Sequence, residues 1–197
     1  MNHTSNFNLI GIDPGTNTGI SVFEVNTQLE LVNIKTFDIN LNKYADENSN
    51  GLTKDVDRYL ALFDLVTEVV TTYKPRAVAI ESAFINTKFK GSGLKLAGYV
   101  SVVITAIKKQ DKNIILCKLA PKSVKKFMGD ATANKDKMLA MLGNELSNFI
   151  DVTTMSEHTI DATSIGSKLL DVIRDSPHIL KGIWGGIFLL SCTIFDM

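Results

Sequence analysis

Four side chains that can bind a divalent metal lie in three separated segments of this chain, each beside a predicted strand or on a predicted helix. Asp13 and Glu81 each follow directly on a short apolar run, and such runs predict buried strands. His158 and Asp161 are three residues apart, which places them on one face of a helix. Two buried strands and a late helix that meet at one point indicate a mixed α/β domain.

The predicted elements follow the order of three strands, a helix, a strand, a helix, a strand and a series of helices. The predicted strands are residues 8–12, 20–25, 29–34, 77–80 and 113–117, and the predicted helices are residues 54–73, 94–107, 122–128, 135–149 and 157–174. We expect the first three strands to form an antiparallel meander. Residues 42–53 and 129–134 are predicted loops. No linker divides the chain, so we expect one domain over residues 1–175 and an apolar tail over residues 176–197.

Charge is distributed unevenly along the chain, although the formal net charge is zero. Residues 82–137 carry 12 lysines against 3 acidic side chains, and the segments on either side are acidic. A basic middle of this kind is the footprint of a protein that binds a polyanion such as DNA. A lysine-rich solvated surface explains the same pattern equally well, so charge alone does not decide between the two.

The cysteines and the N-terminus indicate where the protein works. Cys117 and Cys192 are far apart and have neither a metal-binding spacing nor the pattern of a disulfide framework, which favours a reducing compartment. The polar residues 1–8 lack the order of a secretory signal peptide. Residues 183–195 are strongly apolar, but these 13 residues fall short of the roughly 20 that cross a bilayer as a helix. We therefore expect a cytoplasmic protein without a membrane span.

Oxygen-rich sites suit Mg²⁺, and two such ions can activate a water and stabilise the leaving oxygen in phosphodiester hydrolysis. Each candidate residue also has an ordinary structural explanation. An Asp-Pro-Gly segment is usually a turn, a Glu after a strand is often a surface boundary, and a His three residues before an Asp often makes only a local hydrogen bond. The joint occurrence of all four residues is what favours a metal site.

Several motifs in this chain resemble those of a known family. They are Gly11-Ile-Asp-Pro-Gly-Thr-Asn-Thr-Gly19, Glu81-Ser-Ala-Phe-Ile-Asn86, Leu94-Lys-Leu-Ala-Gly98, Ala120-Pro-Lys-Ser-Val-Lys125, Gly129 with Ala133-Asn-Lys135, and His158-Thr-Ile-Asp-Ala162. In this order they resemble the RuvC-type Holliday junction resolvases, over roughly residues 8–170. Four motifs in the correct order are far more specific than any one of them.

The resemblance implies an RNase H-like fold, with a five-stranded mixed sheet and helices on both faces. It implies that Asp13, Glu81, His158 and Asp161 are the catalytic and metal-binding group, with two Mg²⁺ ions that Mn²⁺ can replace and no small-molecule cofactor. The expected activity is symmetric nicking of four-way DNA junctions, with forks and flaps as further candidate substrates. Two opposed nicks imply a C₂ homodimer. The helix over residues 94–107 is the expected interface, although its apolar positions are equally well explained as core.

Many family members have Asp at the position of His158, although His also occurs there in the family. An imidazole nitrogen is softer than a carboxylate oxygen and suits Mn²⁺ better than Mg²⁺. It must also be neutral to bind a metal, so we expect activity to fall when acid protonates it. An alternative is that His158 binds no metal and orients or activates the water.

The resemblance also implies DNA contacts. Lys125 and Lys135 match basic residues expected to contact phosphates, and an aromatic side chain at Phe84 could stack on an unpaired base. Phe84 is nearly as well explained as a core residue. Three further lysines extend the basic footprint, although ordinary surface charge explains them equally well; they are Lys122, Lys126 and Lys137.

Two other functions are consistent with parts of the sequence. Asp13-Pro-Gly-Thr16 is also similar to the first phosphate loop of actin-like ATPases and sugar kinases, but those proteins need a second such loop and a second domain, which this chain lacks. A DNA-binding relative that has lost its nuclease activity is the other alternative, and the intact acidic set argues against it. An Asn- and Lys-rich chain with an extra tail favours a phage over a bacterial origin, and the protein would then act in the infected cell.

Overall fold

The computed structural model describes residues 6–48, 50–82, 90–130 and 132–180, together with residues 189–190, and gives only the backbone of residues 90–92 and 189–190. The strands are β1 (Phe7–Asp13), β2 (Asn17–Val25), β3 (Leu31–Asn40), β4 (Ala77–Glu81), β5 (Ile115–Leu119) and β6 (Leu189–Leu190). The α-helices are α1 (Gly51–Tyr73), α2 (Lys90–Gln110), α3 (Pro121–Phe127), α4 (Lys135–Leu146) and α5 (Glu157–Asp175). Each predicted strand and helix is present, which confirms the predicted order.

The strands form one mixed sheet in the order β3-β2-β1-β4-β5-β6. β1 pairs with β2 and β2 with β3 in antiparallel register, which confirms the predicted meander. β4 is parallel to β1, and β5 is parallel to β4. The first five strands are the predicted mixed sheet. The two residues of β6, from the predicted tail, extend its edge in parallel with β5.

Helices cover both faces of the sheet, as predicted. Because side chains alternate along a strand, the residues of β1 enter two separate cores. Leu9 packs in the core that includes Ile165 of α5. Ile10 packs in the opposite core, which includes Leu62 of α1 and Val103 of α2. The sheet is therefore the central layer of a three-layer domain, and its strand ends are fixed from both sides.

Small residues let α5 lie directly against β1 and β2. A Cβ atom on Gly11 would overlap the carbonyl oxygen of Ala162 and lie 2.5 Å from the backbone nitrogen of Gly166. A Cβ atom on Gly19 would overlap the backbone of His158. Glycine is required at both positions because the backbone of the helix occupies the space of a side chain. The close approach fixes the start of α5 over the end of β1.

Element boundaries differ from the predictions where local capping or strand pairing decides them. β3 continues to Asn40 instead of residue 34, because it pairs with β2 as far as the Asn17–Asn40 pair. The predicted loop over residues 42–53 is partly helical, with a 3₁₀ helix at Leu41–Tyr44 and with α1 beginning at Gly51. The burial of Leu41 anchors this 3₁₀ turn.

The last two elements before α5 also differ in length from their predictions. β5 begins at Ile115 instead of residue 113, because Asp111 accepts a 2.8 Å hydrogen bond from the backbone nitrogen of Asn113 in a turn. α4 ends at Leu146 instead of residue 149. In the part of the chain that the structure describes, no helix is both long enough and apolar enough to cross a membrane.

Candidate active site

Asp13 and Glu81 lie side by side at the carboxyl-terminal ends of the two central strands, β1 and β4. Each is the last residue of its strand, and Ile12 of β1 pairs with Ile80 of the parallel strand β4. Neighbouring parallel strands have their carboxyl-terminal ends on the same side of the sheet. The residues after Ile12 and Ile80, which are Asp13 and Glu81, are therefore neighbours. The Asp13 side chain is only 14% exposed, and Glu81 is half-buried. The two predicted strand-end carboxyls therefore share one partly dehydrated site.

α5 lies on one face of the sheet and brings His158 and Asp161 to the same strand ends. The helix begins at Glu157, where the Ser156 hydroxyl caps it by accepting a 3.2 Å hydrogen bond from the backbone nitrogen of Thr159. His158 Nδ1 lies 3.3 Å from Asp13 Oδ2, which joins the helix to the end of β1. All four predicted metal-binding residues are thus gathered in one place, from elements far apart in sequence.

Lys135 brings a positive charge into this cluster. It is the first residue of α4, and its ammonium group forms an ion pair with Asp161 Oδ2. The same Nζ atom lies 3.3 Å from Oε1 of Glu157. The sequence had suggested Lys135 only as a contact to DNA phosphate. Its position among the carboxylates was not predicted, because it depends on how α4 packs near α5 and no local pattern encodes that.

The pKa values of Asp13 and Glu81 are raised mainly because both carboxyl groups are buried, and further by the negative charges of their neighbours. Burial, and then the charge of Asp161, raise the pKa of Asp13 to about 6, although His158 and Lys135 act in the opposite direction. Burial, followed by the charges of Asp13 and Asp161, raises the pKa of Glu81 to about 7, against the opposing effect of Lys135 and Lys125. A cation bound among these groups would relieve both the repulsion and the loss of hydration.

The donor set and the closeness of the carboxyl groups fit a hard divalent cation, which prefers oxygen ligands. Asp13, Glu81 and Asp161 would provide oxygen, and His158 could add a nitrogen. Among the described residues, no group of three or more Asp, Glu, His or Cys side chains is arranged to hold an ion in the present side-chain positions. Lys135 is the cation that contacts Asp161 instead.

The other predicted DNA-contacting lysines lie on α3 and α4, and only Lys125 among them is close enough to affect Glu81. Lys125 is half-buried on α3, and its charge lowers the pKa of Glu81. Lys122 and Lys126 are exposed on the same helix. Lys137 is exposed on α4, with its Nζ atom 3.7 Å from Asp130 Oδ2. Phe84 belongs to residues 83–89, which lie outside the described part of the chain.

A further contact that the sequence did not predict supports the turn between β1 and β2. The hydroxyl groups of Thr16 and Tyr99 lie 3.2 Å apart, and Tyr99 is buried on α2. The turn that follows Asp13 is thereby joined to the helix on the opposite face of the sheet from α5. Nothing in the local sequence of Tyr99 indicates this partner, because the contact depends on how α2 packs on the sheet.

Comparison with known proteins identifies the family. The protein-family model described as "Crossover junction endodeoxyribonuclease RuvC" matches residues 9–166. The chain is 28% identical over 158 residues to a protein of that name from Chloroherpeton thalassium, covering 79% of this chain and 77% of the relative. It is 26% identical over 162 residues to one from Wolbachia pipientis wMel, covering 80% and 90% respectively.

Solved structures show the same fold. RuvC of T. thermophilus in complex with a Holliday junction substrate has a TM-score of 0.66 and 21% identity, covering 86% of this chain and 96% of that one. The yeast mitochondrial Holliday junction resolvase has a TM-score of 0.57 and 15% identity, covering 89% and 86%. The fold is therefore the predicted RNase H-like fold. The family model matches most of the chain, over residues 9–166, and this match shows that the chain belongs to the RuvC family of crossover junction endodeoxyribonucleases.

Proposed function

We propose that this protein resolves four-way DNA junctions by metal-dependent hydrolysis of two opposed phosphodiester bonds. The observation that carries the proposal is the meeting of Asp13, Glu81, His158 and Asp161, which come from two adjacent parallel strands and the first two turns of α5. The choice of a four-way junction as substrate is supported by a similar solved structure, which is a complex with a Holliday junction.

Asp13, Glu81 and Asp161 would hold two Mg²⁺ ions, which Mn²⁺ could replace. Two divalent ions in such a site supply an activated water and stabilise the departing oxygen of the cleaved bond. The chain's own contribution is to hold three carboxyls in a partly buried place where their mutual repulsion favours a cation. His158, 3.3 Å from Asp13, is placed either to bind a metal through a ring nitrogen or to orient Asp13.

The lysines of α3 and α4 are the proposed DNA contacts. Lys125 and Lys135 border the carboxyl cluster, where a phosphate that approaches the metals would also meet their charges. The exposed Lys122, Lys126 and Lys137 would contact phosphates further from the cut. Phosphate contacts position a duplex without reading its sequence, which is what a protein that recognises branch structure requires.

Two nicks in opposed strands need two active sites, so we propose a C₂ homodimer. The interface we propose is α2, on which Leu94 is 66% exposed. We retain the division into a nuclease domain over residues 1–175 and a tail over residues 176–197. We also propose that the protein acts in the cytoplasm of a bacterial or phage-infected cell.

A panel of DNAs of matched sequence tests the proposal. A four-way junction, a fork, a flap and a linear duplex are each incubated with the protein in Mg²⁺, in Mn²⁺ and in a chelator. We expect paired, symmetric nicks in the four-way junction with either metal and none with the chelator. Cleavage of the linear duplex at the same rate, or junction cleavage in the chelator, would show that the proposed function is wrong.

A further inference from the structure

The ammonium group of Lys135 lies among the carboxylates of the site, where a bound cation is expected. Its ammonium group contacts Asp161 Oδ2 and lies 3.3 Å from Glu157 Oε1, and its charge lowers the pKa of both Asp13 and Glu81. It therefore acts on carboxyl groups from β1, β4 and α5 together.

The position of Lys135 in its own helix does not account for this placement. It is the first residue of α4, and the positive end of the helix dipole disfavours a cation there. Asn134 already caps the helix, since its side chain accepts a hydrogen bond from the backbone nitrogen of Lys137 at 3.1 Å. The favourable partners of the ammonium are thus the carboxylates of the site.

We propose that Lys135 competes with the divalent metal for Asp161 in the DNA-free protein, so that metal binds tightly only once the ammonium has left this carboxylate. The inference rests on the proposed function, because it requires that Asp161 be a metal ligand. The ammonium pairs with Oδ2 of Asp161, so a divalent ion on either oxygen of this carboxylate would lie close to it, and two cations that close repel strongly in a partly buried site. Moving Lys135 away from Asp161 would therefore accompany tight metal binding, at a cost in metal affinity.

The competition would link metal binding to substrate binding. A DNA phosphate beside the site offers the ammonium an alternative anionic partner, and its arrival would free Asp161 for the metal. Because coupling between two ligands is reciprocal, junction DNA would raise the affinity for metal, and metal would raise the affinity for DNA. The free protein would then carry little metal with which to cut DNA unselectively.

The test is a titration of the DNA-free, full-length protein with Mn²⁺ by calorimetry, together with an electron paramagnetic resonance measurement of free Mn²⁺. Lys135→Met removes the charge and keeps much of the side-chain length. We expect it to bind Mn²⁺ more tightly than wild type, by about 5- to 150-fold, the usual range of coupling between two sites. Lys135→Gln, a second neutral variant, should behave in the same way, and Lys135→Arg should stay close to wild type.

Lys168→Met is the matched control. Lys168 is ion-paired with Asp171 at 2.9 Å on α5, and its removal changes the net charge by the same amount away from the carboxyl cluster. We expect no change in Mn²⁺ affinity for this variant. An equal gain from Lys168→Met and Lys135→Met would assign the effect to net charge and overturn the inference.

Chemical labelling gives a second readout. Acetylation of Lys135, followed by mass spectrometry, should become faster when Mn²⁺ is added to the wild-type protein, because the ammonium is released from Asp161 and Glu157. If Lys135→Met and Lys135→Gln bind Mn²⁺ no better than wild type, the inference is wrong while the proposed metal site stands. If neither wild type nor the variants bind Mn²⁺, the proposed site and the inference both fail.

Discussion

Glu81 shows how a residue of the site affects stability. Its pKa of about 7 in the folded protein lies above its ordinary value of 4.5, mainly because burial disfavours the charged form. The folded state therefore binds this proton more tightly than the unfolded state does. It follows that the contribution of Glu81 to the free energy of unfolding falls as the pH rises from 4.5 to about 7, and stays low above that.

We expect Glu81→Gln to stabilise the metal-free protein at pH 8, by about 2 kcal/mol, because the amide cannot become charged. At pH 4.5 the variant should be close to wild type in stability. Urea denaturation in a chelator at both pH values measures the difference. A variant that is less stable than wild type at pH 8 would mean that the Glu81 carboxylate is well compensated without metal.

His158 is the residue at which this chain departs from an all-carboxylate site. If its imidazole binds the metal, His158→Asp should lower the rate of nicking in Mn²⁺ relative to the rate in Mg²⁺, because oxygen favours the harder ion. His158→Ala should reduce both rates by about 10-fold or more. An unchanged ratio for His158→Asp would indicate that His158 acts only through its contact with Asp13.

At the scale of secondary structure, the site depends on how closely α5 approaches the sheet. Gly19→Ala would place a Cβ atom against the backbone of His158, and a backbone cannot move aside as a flexible side chain can. We expect a loss of about 3 kcal/mol or more in the free energy of unfolding. Nicking by the remaining folded protein should also fall, because α5 carries His158 and Asp161.

Gly143→Ala is the control for this prediction. Gly143 lies inside α4, and an added Cβ atom would be 3.4 Å from Cγ2 of Val152, within ordinary contact distance. Replacing a helical glycine by alanine should leave stability unchanged or raise it by up to about 1 kcal/mol. Thermal melts of both variants test the pair. If Gly19→Ala has the same melting temperature as wild type, the close approach of α5 does not constrain the site.

The order of the elements could be predicted from the sequence, whereas some of their contacts could not. The apolar runs before Asp13 and Glu81 and the spacing of His158 and Asp161 are local signals, and the structure confirms the strands and the helix that they predicted. The partnership of Lys135 with Asp161 joins residues 26 positions apart and depends on the packing of two helices. The full length of β3 likewise depends on its pairing with β2.

At the scale of the whole molecule, the proposed dimer places an exposed apolar side chain of α2 at the interface. We expect the protein to sediment as a dimer at assay concentration and Leu94→Glu to make it a monomer, because the variant would bury an unpaired charge. Leu94 is 66% exposed, so the folded monomer should tolerate the change. Val32→Glu, at a position 43% exposed on β3, is the control and should remain a dimer.

A monomeric wild-type protein that still makes two symmetric nicks would contradict the proposed assembly. A dimer that persists in Leu94→Glu would instead move the interface away from this part of α2. The exposed apolar residues of α1 would then be the next surface to test; they are Leu52, Val56 and Leu60.

The central claim is that Asp13, Glu81 and Asp161 form the metal-dependent catalytic centre. The most direct test is the initial rate of four-way junction nicking in Mg²⁺ by wild type, Glu81→Gln and Asp161→Asn, with Glu145→Gln as a control that removes an acidic side chain elsewhere, on α4. The account predicts that the first two variants fold and bind the junction but nick it more than about 100-fold more slowly, and that the control nicks at the wild-type rate. Nicking by Glu81→Gln and Asp161→Asn at the wild-type rate would contradict it.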